Sequence, residues 1–357
     1  MSANLLEAND LFAANEQLQA LGCTDGLPVL PPTPERVEAL VLASGLDGDL
    51  VLGAMGPAGG AASVHKLAVN AAMAGCIPDH MPVIIGIAKA VMQPEFDLGE
   101  MQGTTHCTAP LIIVNGPARS ACGEFVSGFG AFGPGQHANG PVGRALRLAM
   151  LNIGGARPGE SDMALHGHPG KYTYCIAEDE ERSPLPPLHT SHGYSPDDSA
   201  VTVVGAEAPH STWFVTDADD PQECERLLDS LAGVIANPGS NNVHLGGGGA
   251  VTVALNHEHA QVLTRAGLDR EAIQEELSRR STISRDHLLH IHPGAKIPDG
   301  DGDRVRAVRD PAKILIVVAG GPGLYSMIMP SWCAGPHANA FVHAPVEIDQ
   351  FCEIPGA

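Results

Sequence analysis

Glycine and proline punctuate this chain so often that no element can run far before it is turned. The 357 residues include 42 Gly and 29 Pro, close to one in five, without the three-residue period of collagen. Such a chain must fold through many turns and close backbone approaches that join short elements. Aromatic residues make up only 4%, so the core has to be packed from Ala, Val, Leu, Ile and Met. The apolar fraction of 44% is enough for one, and the length predicts two domains.

The periodic segments alternate between helix and strand, which predicts an α/β fold. A helix is expected up to about Leu21, then a short strand over Leu27–Leu30. Thr33-Pro34-Glu35 reads as a helix start, with Thr33 as N-cap and Pro34 in the first turn. Helices follow over 63–74, stopped by Gly75, and over 81–92. A buried strand is expected at 111–114, then a Gly-rich loop over 127–140 that feeds a helix over 141–153. Strands are expected at 199–204, 250–255 and 314–318, with helices at 221–236, 257–266 and 269–280. Residues 154–197 carry little periodicity, as a functional loop or linker does.

Three matches in the same order predict an internal duplication. Leu27–Leu30 and the helix after it resemble 251–255 and the helix after that; LIIVNGP (111–117) resembles ILIVVAGGP (314–322); and His137-Ala138-Asn139 recurs as His337-Ala338-Asn339. The expected architecture is therefore two pseudo-repeated α/β units packed around a shared interface cleft. They cover residues 1–160 and 198–357, with 161–197 as an irregular functional loop or linker. Ligand sites favour such clefts and the carboxyl ends of strands.

Charge excludes some partners. Forty-one acidic residues face twenty basic ones, only five of them Lys, for a net charge of −21. Such a surface repels nucleic-acid backbones and anionic bilayers. The start, MSANLLEANDLFAANEQ, has neither the basic nor the apolar region of a signal peptide, and no apolar run reaches about 18 residues. The eight Cys form no C-x-x-C pair. They read as reduced thiols, which predicts a cytoplasmic protein.

The 17 His need an explanation, and some lie beside cysteines. Thr104-Thr105-His106-Cys107-Thr108 puts an imidazole next to a thiol, and Cys333 stands four residues before His337. His106, Cys107, His137, Cys333 and His337 are thus candidate ligands for a transition-metal ion, zinc first and otherwise iron or copper. A second cluster lies in MALHGHPGKYTYCIAEDEERSP (163–184). If 171–177 is a strand, Lys171, Thr173 and Cys175 share one face. Lys171, Cys175 and Glu178 are the candidate catalytic residues, with His168, Asn139 and Asn339 toward a substrate. No Walker loop, G-x-G-x-x-G or G-x-S-x-G motif is present.

DGLPVLPPTPERVEAL (25–40), NAAMAGCIPDHMPV (70–83), LIIVNGP (111–117), GRALRLAMLNIGGARPGE (143–160) and HPGKYTYCIAEDEERSP (168–184) together resemble a poorly characterised bacterial family. Its members occur beside or fused to domains of the UGSC selenoprotein type. The resemblance implies at most thiol or selenol chemistry, and a UGSC-type redox partner. The family pattern has other residues where this chain has His106, Cys107 and His137, which favours a specialised metal site.

Three functions stay open on these residues. The first is a metal-dependent enzyme, hydrolysing or eliminating from a small polar substrate. The second is a metal-free thiol or redox enzyme working through Cys175 or Cys107, and the third is a non-catalytic metal-binding protein. A homodimer fits any of them.

Overall fold

The computed structural model describes residues 6–135, 137–295, 297–298, 302–338 and 340–348. In chain order the strands are β1 (Val51–Met55), β2 (Gly60–Ser63), β3 (Ala109–Asn115), β4 (Cys175–Ala177), β5 (Ala200–Ala206), β6 (His210–Trp213), β7 (Val251–Leu255), β8 (Thr282–Ser284), β9 (Arg304–Arg306), β10 (Ile314–Val318), β11 (Tyr325–Pro330) and β12 (Val342–Pro345). Two four-stranded sheets run in the orders β12-β5-β3-β4 and β10-β7-β11-β6. The other four strands form two small antiparallel pairs.

Every residue of β3, β5, β7 and β10 is buried, because each sheet is covered on both faces. Ile112, Val114, Val201 and Val203 point one way, into a core with the helices Val64–Ala74, Met81–Val91 and Asn139–Asn152. Leu111, Ile113 and Val204 point the other way and meet Ala254, Leu315, Val317 and Met329 of the second sheet. The outer face of that sheet packs Val253, Ile316 and Ile328 under the helices Glu223–Ile235, His257–Arg265 and Arg270–Arg280. The fold is thus α/β in four layers: helices, sheet, sheet, helices.

The two sheets share one pattern of strand directions. From the edge inward, β4 runs parallel to β3, β3 antiparallel to β5, and β5 antiparallel to β12. Likewise β10 runs parallel to β7, β7 antiparallel to β11, and β11 antiparallel to β6. The last strand of each sheet is exchanged: β6 follows β5 but closes the second sheet, and β12 follows β11 but closes the first. The sheets touch where the exchange occurs, at an antiparallel bridge between Ala206 and Ser331.

This correspondence is not the one the sequence matches suggested. Residues 111–117 belong to an interior strand and 314–322 to an edge strand, so their likeness reflects two dry strands of similar composition. Leu27–Leu30 forms no strand. Asn15 takes both backbone groups of Val29, while Arg144 grips Asp25 and the carbonyl of Pro28. Strands β5 and β12, from beyond residue 198, complete the sheet of β3 and β4.

A buried ion pair ties the layers. Glu178, just past β4, accepts from the Asn115 amide at 2.5 Å and from Leu188 N–H at 2.6 Å. Arg270, at the start of an outer helix on the second sheet, lies 3.6 Å from its other oxygen. The same guanidinium donates to the carbonyls of Ile316 and Pro186. Removing one partner of such a pair strands the other without water. Arg270→Met is therefore expected to cost about 3–5 kcal/mol of unfolding free energy in a urea titration, whereas a loss within error would show that the pair holds nothing.

Two interior histidines make stability depend on pH. Burial holds the His80 imidazole down at about 4, and burial beside stacked His192 holds His343 at about 3. In the unfolded chain both take protons near the ordinary 6.5. Between these values the unfolded state binds more protons, so stability is complete above about pH 6.5 and falls as pH drops toward 4. The urea midpoint is expected to be lower at pH 5 than at pH 7.5, with a smaller drop in His80→Asn. An unchanged drop in that variant would remove His80 from the account.

Candidate functional site

A polar cluster sits where the chain enters β3 and leaves β5. His106 Nε2 lies 2.9 Å from Glu207 Oε1, and Glu207 directly follows β5. Glu207 accepting the Nε2 proton leaves the lone pair on Nδ1, a buried atom without a hydrogen-bond partner among the described residues. Cys107, next in the chain, is half-buried.

The 163–174 segment supplies the opposite wall. His168 accepts the Gly170 N–H on Nδ1 at 3.1 Å and turns Nε2 toward the Ala206 carbonyl, 3.3 Å away. Its proton is thereby fixed on Nε2, and burial, aided by nearby Lys171, lowers its affinity for a second. Pro169–Lys171 is one turn of 3-10 helix rather than strand, since Pro169 and the His168 cap set the turn. The strand expected over 171–177 shrinks to β4, and Lys171 does not share a face with Cys175. Instead Lys171 Nζ reaches Asp162 Oδ1 at 2.7 Å, and Asp162 Oδ2 accepts from Arg147 at 3.1 Å. Burial pulls the Lys171 ammonium below its ordinary range, with Asp162 opposing. Tyr174 donates its hydroxyl to the Glu207 carbonyl at 2.7 Å and meets His168 edge-on.

His106, Cys107, His168 and Lys171 are thus brought together; the other expected residues lie elsewhere. Cys175 points into the helix-side core, where burial beside Cys76 drives its thiol far up. Glu178 is occupied by Asn115, Leu188 and Arg270. Asn139 makes paired hydrogen bonds with the backbone of Val126, both 2.9 Å, and so pins the start of the Gly-rich loop. His137 is exposed, and Asn339 lies outside the described residues. His337 is held by buried Asp97, with Nδ1 2.7 Å from one carboxylate oxygen and its N–H on the other at 2.8 Å. Cys333 is buried against Gly249. Among the described residues no three His, Cys, Asp or Glu side chains gather as a metal-holding group. His106 and His337 each have a separate carboxylate.

Arg147, Asp162, Gln102 and Glu207 escaped the sequence reading, and Thr108 entered it only as a neighbour of His106 and Cys107. Arg147 left a trace: it is a lone charge on an apolar helical stripe, where Gly143, Leu146, Arg147 and Met150 line one small cavity. Glu207 left none, because its pairing joins residues 101 positions apart.

No protein-family model matches the chain, and no curated protein matches it either. No helix among the described residues is long and apolar enough to cross a membrane.

Thiol reactivity should follow this geometry. Cys76, Cys122 and Cys175 are buried and their thiols are pushed up, Cys122 to about 12. With brief iodoacetamide treatment at neutral pH, peptide mass spectrometry is expected to show Cys107 modified well ahead of all three. Early labelling of Cys175 would contradict its placement.

Proposed function

We propose that this protein is an enzyme that moves protons on a small polar substrate, in hydrolysis or a lyase-type elimination, at the cluster of His106, Glu207, His168 and Lys171. The observation that carries the reading is the His106–Glu207 pair at 2.9 Å. A carboxylate that holds one ring nitrogen as N–H prepares the other to accept a proton, and it stabilises the imidazolium that results. Lys171 supports the other half of the reaction. With its proton affinity lowered by burial, its ammonium can steady developing negative charge and hand a proton to a leaving group.

A second reading uses the thiol. Cys107 is half-buried beside His106 and near Lys171, so its sulfur is within reach of a substrate held at the same cluster. That would suit thiol-transfer or redox chemistry with a UGSC-type partner. A transition-metal ion, zinc first, was the expectation from the Cys and His spacing. The five expected ligands do not gather among the described residues, so the proposal assigns every step to the chain's own groups.

The test is turnover on a panel of small esters, amides and β-hydroxy acids by untagged protein, before and after chelator treatment. Wild-type protein is expected to act on at least one member, and His106→Ala and Glu207→Gln should each reduce kcat/KM by about 100-fold. Unchanged rates in both variants would sink the assignment. Activity lost to the chelator and restored only by a metal would replace it with the metal-dependent enzyme, and Cys107→Ser as the only damaging change would favour the thiol. Stoichiometric metal with no turnover would make the protein a metal binder.

A further inference from the structure

Two cations share one carboxylate beneath the proposed catalytic cluster. The side chains of Arg147 and Lys171 are 9% and 15% exposed, and Asp162, which both contact, is 4% exposed. Among the described residues neither cation has a second ion-pair partner. The trio carries a formal charge of +1 in a nearly dry place, which is unfavourable unless an anion meets it.

Unpartnered polar groups stand beside that charge. The Gln102 amide uses neither its oxygen nor its nitrogen in a hydrogen bond, and the Thr108 hydroxyl is likewise unpartnered. Both residues are fully buried, and both line one cavity with Arg147, Lys171 and Tyr174. Polar groups shut away in this manner are normally satisfied by water or by a ligand. The cavity measures about 10 Å³, room for roughly one water molecule, and hence for one ligand oxygen. It adjoins the His106 cluster through Lys171, Thr108 and Tyr174.

We propose that this cavity is an oxyanion receptor that takes one oxygen of a carboxylate on a small monoanionic substrate. Arg147 and Lys171 supply the charge, and the Gln102 amide N–H and the Thr108 hydroxyl donate hydrogen bonds. The single positive charge matches one carboxylate. A phosphate or sulfate dianion would exceed that charge and bring a bulkier tetrahedral head to a one-oxygen space. The inference deepens the proton-transfer reading and rests on it for the word substrate: a carboxylate anchored here would hold the attached carbon skeleton toward His106, which takes the proton from the adjacent carbon. The C–H electron pair becomes the new C=C bond, and the leaving group on the next carbon departs with its bonding pair and a proton from Lys171.

Binding is measured apart from turnover, by thermal shift and calorimetry with acetate, propanoate and butanoate, against chloride, phosphate and sulfate at matched ionic strength. The expected result is a saturable rise in melting temperature with the carboxylates only, abolished in Lys171→Met and Arg147→Met. Asp162→Asn supplies a change of opposite sign: without the competing carboxylate the receptor gains charge, and acetate affinity should rise at least threefold. Should Arg147→Met fail to fold, Lys171→Met and Asp162→Asn decide. No saturable carboxylate effect, an unchanged effect in Lys171→Met, weaker binding in Asp162→Asn, or tighter binding of phosphate than of acetate would each overturn the receptor. His106→Ala separates the two readings, because it should cut turnover by about 100-fold and keep carboxylate binding. Binding by a wild-type protein that turns nothing over leaves the receptor and removes the enzyme. Turnover that needs His106, without carboxylate binding, does the reverse.

Discussion

The dry layer between the two sheets is the constraint on which the rest depends. Each sheet is covered by helices on one side and by the other sheet on the second, so the residues of β3, β5, β7 and β10 have no wet face to alternate with. With few aromatic side chains to fill the space, the layer closes through small groups such as Ala109, Ala206, Ala250, Ala254 and Ala319. Polar groups at its margins then have to be satisfied locally. Glu178 draws an amide, a backbone N–H and Arg270 around itself, and His343 takes the Thr202 hydroxyl at 2.8 Å. The strand exchange adds a mechanical tie, since neither sheet is complete without a strand whose predecessor belongs to the other.

That frame determines where chemistry can sit. The ends of β3 and β4 at Asn115 and Glu178 lie within the layer, and the Glu178 carboxylate is taken up by Asn115, Leu188 and Arg270 in holding it. At the opposite end, the chain arrives at β3 through His106 and Cys107 and leaves β5 through Glu207, beside the turn that carries Lys171. Here the helix Asn139–Asn152 brings in Arg147 from the side, and buried groups remain without partners. Unsatisfied polarity in a native protein calls for an explanation, and this corner of the fold is where the proposed function and its receptor lie.

Much of the secondary structure was legible. Gly75 ends its helix in the left-handed conformation, with φ of 89°, as a glycine after an apolar stripe should. The strands at 109–115, 200–206, 251–255 and 314–318 were visible as short β-branched runs between turns. Three of the missed strands, β6, β11 and β12, are the exchanged pieces and the one that leads into an exchange. β6 is largely exposed, so its pattern carries little apolar signature. The candidate site was half legible: His106, Cys107, His168 and Lys171 stood out for their residue types. Asp162 and Glu207 look like ordinary surface charges until the fold pairs them, and only the apolar stripe around Arg147 marks it out.

The sequence by itself determined the class of fold, because periodicity and turn residues are local properties. It also marked the segments where His, Cys and Lys concentrate. Tertiary structure alone decided which of those segments meet. The His-Ala-Asn repeats suggested a metal between two halves, yet His337 pairs with Asp97 and His106 with Glu207. The reason is physical: local pattern records how a strand is buried, whereas register, strand exchange and the partner of a charged side chain are set by packing between residues a hundred or more positions apart.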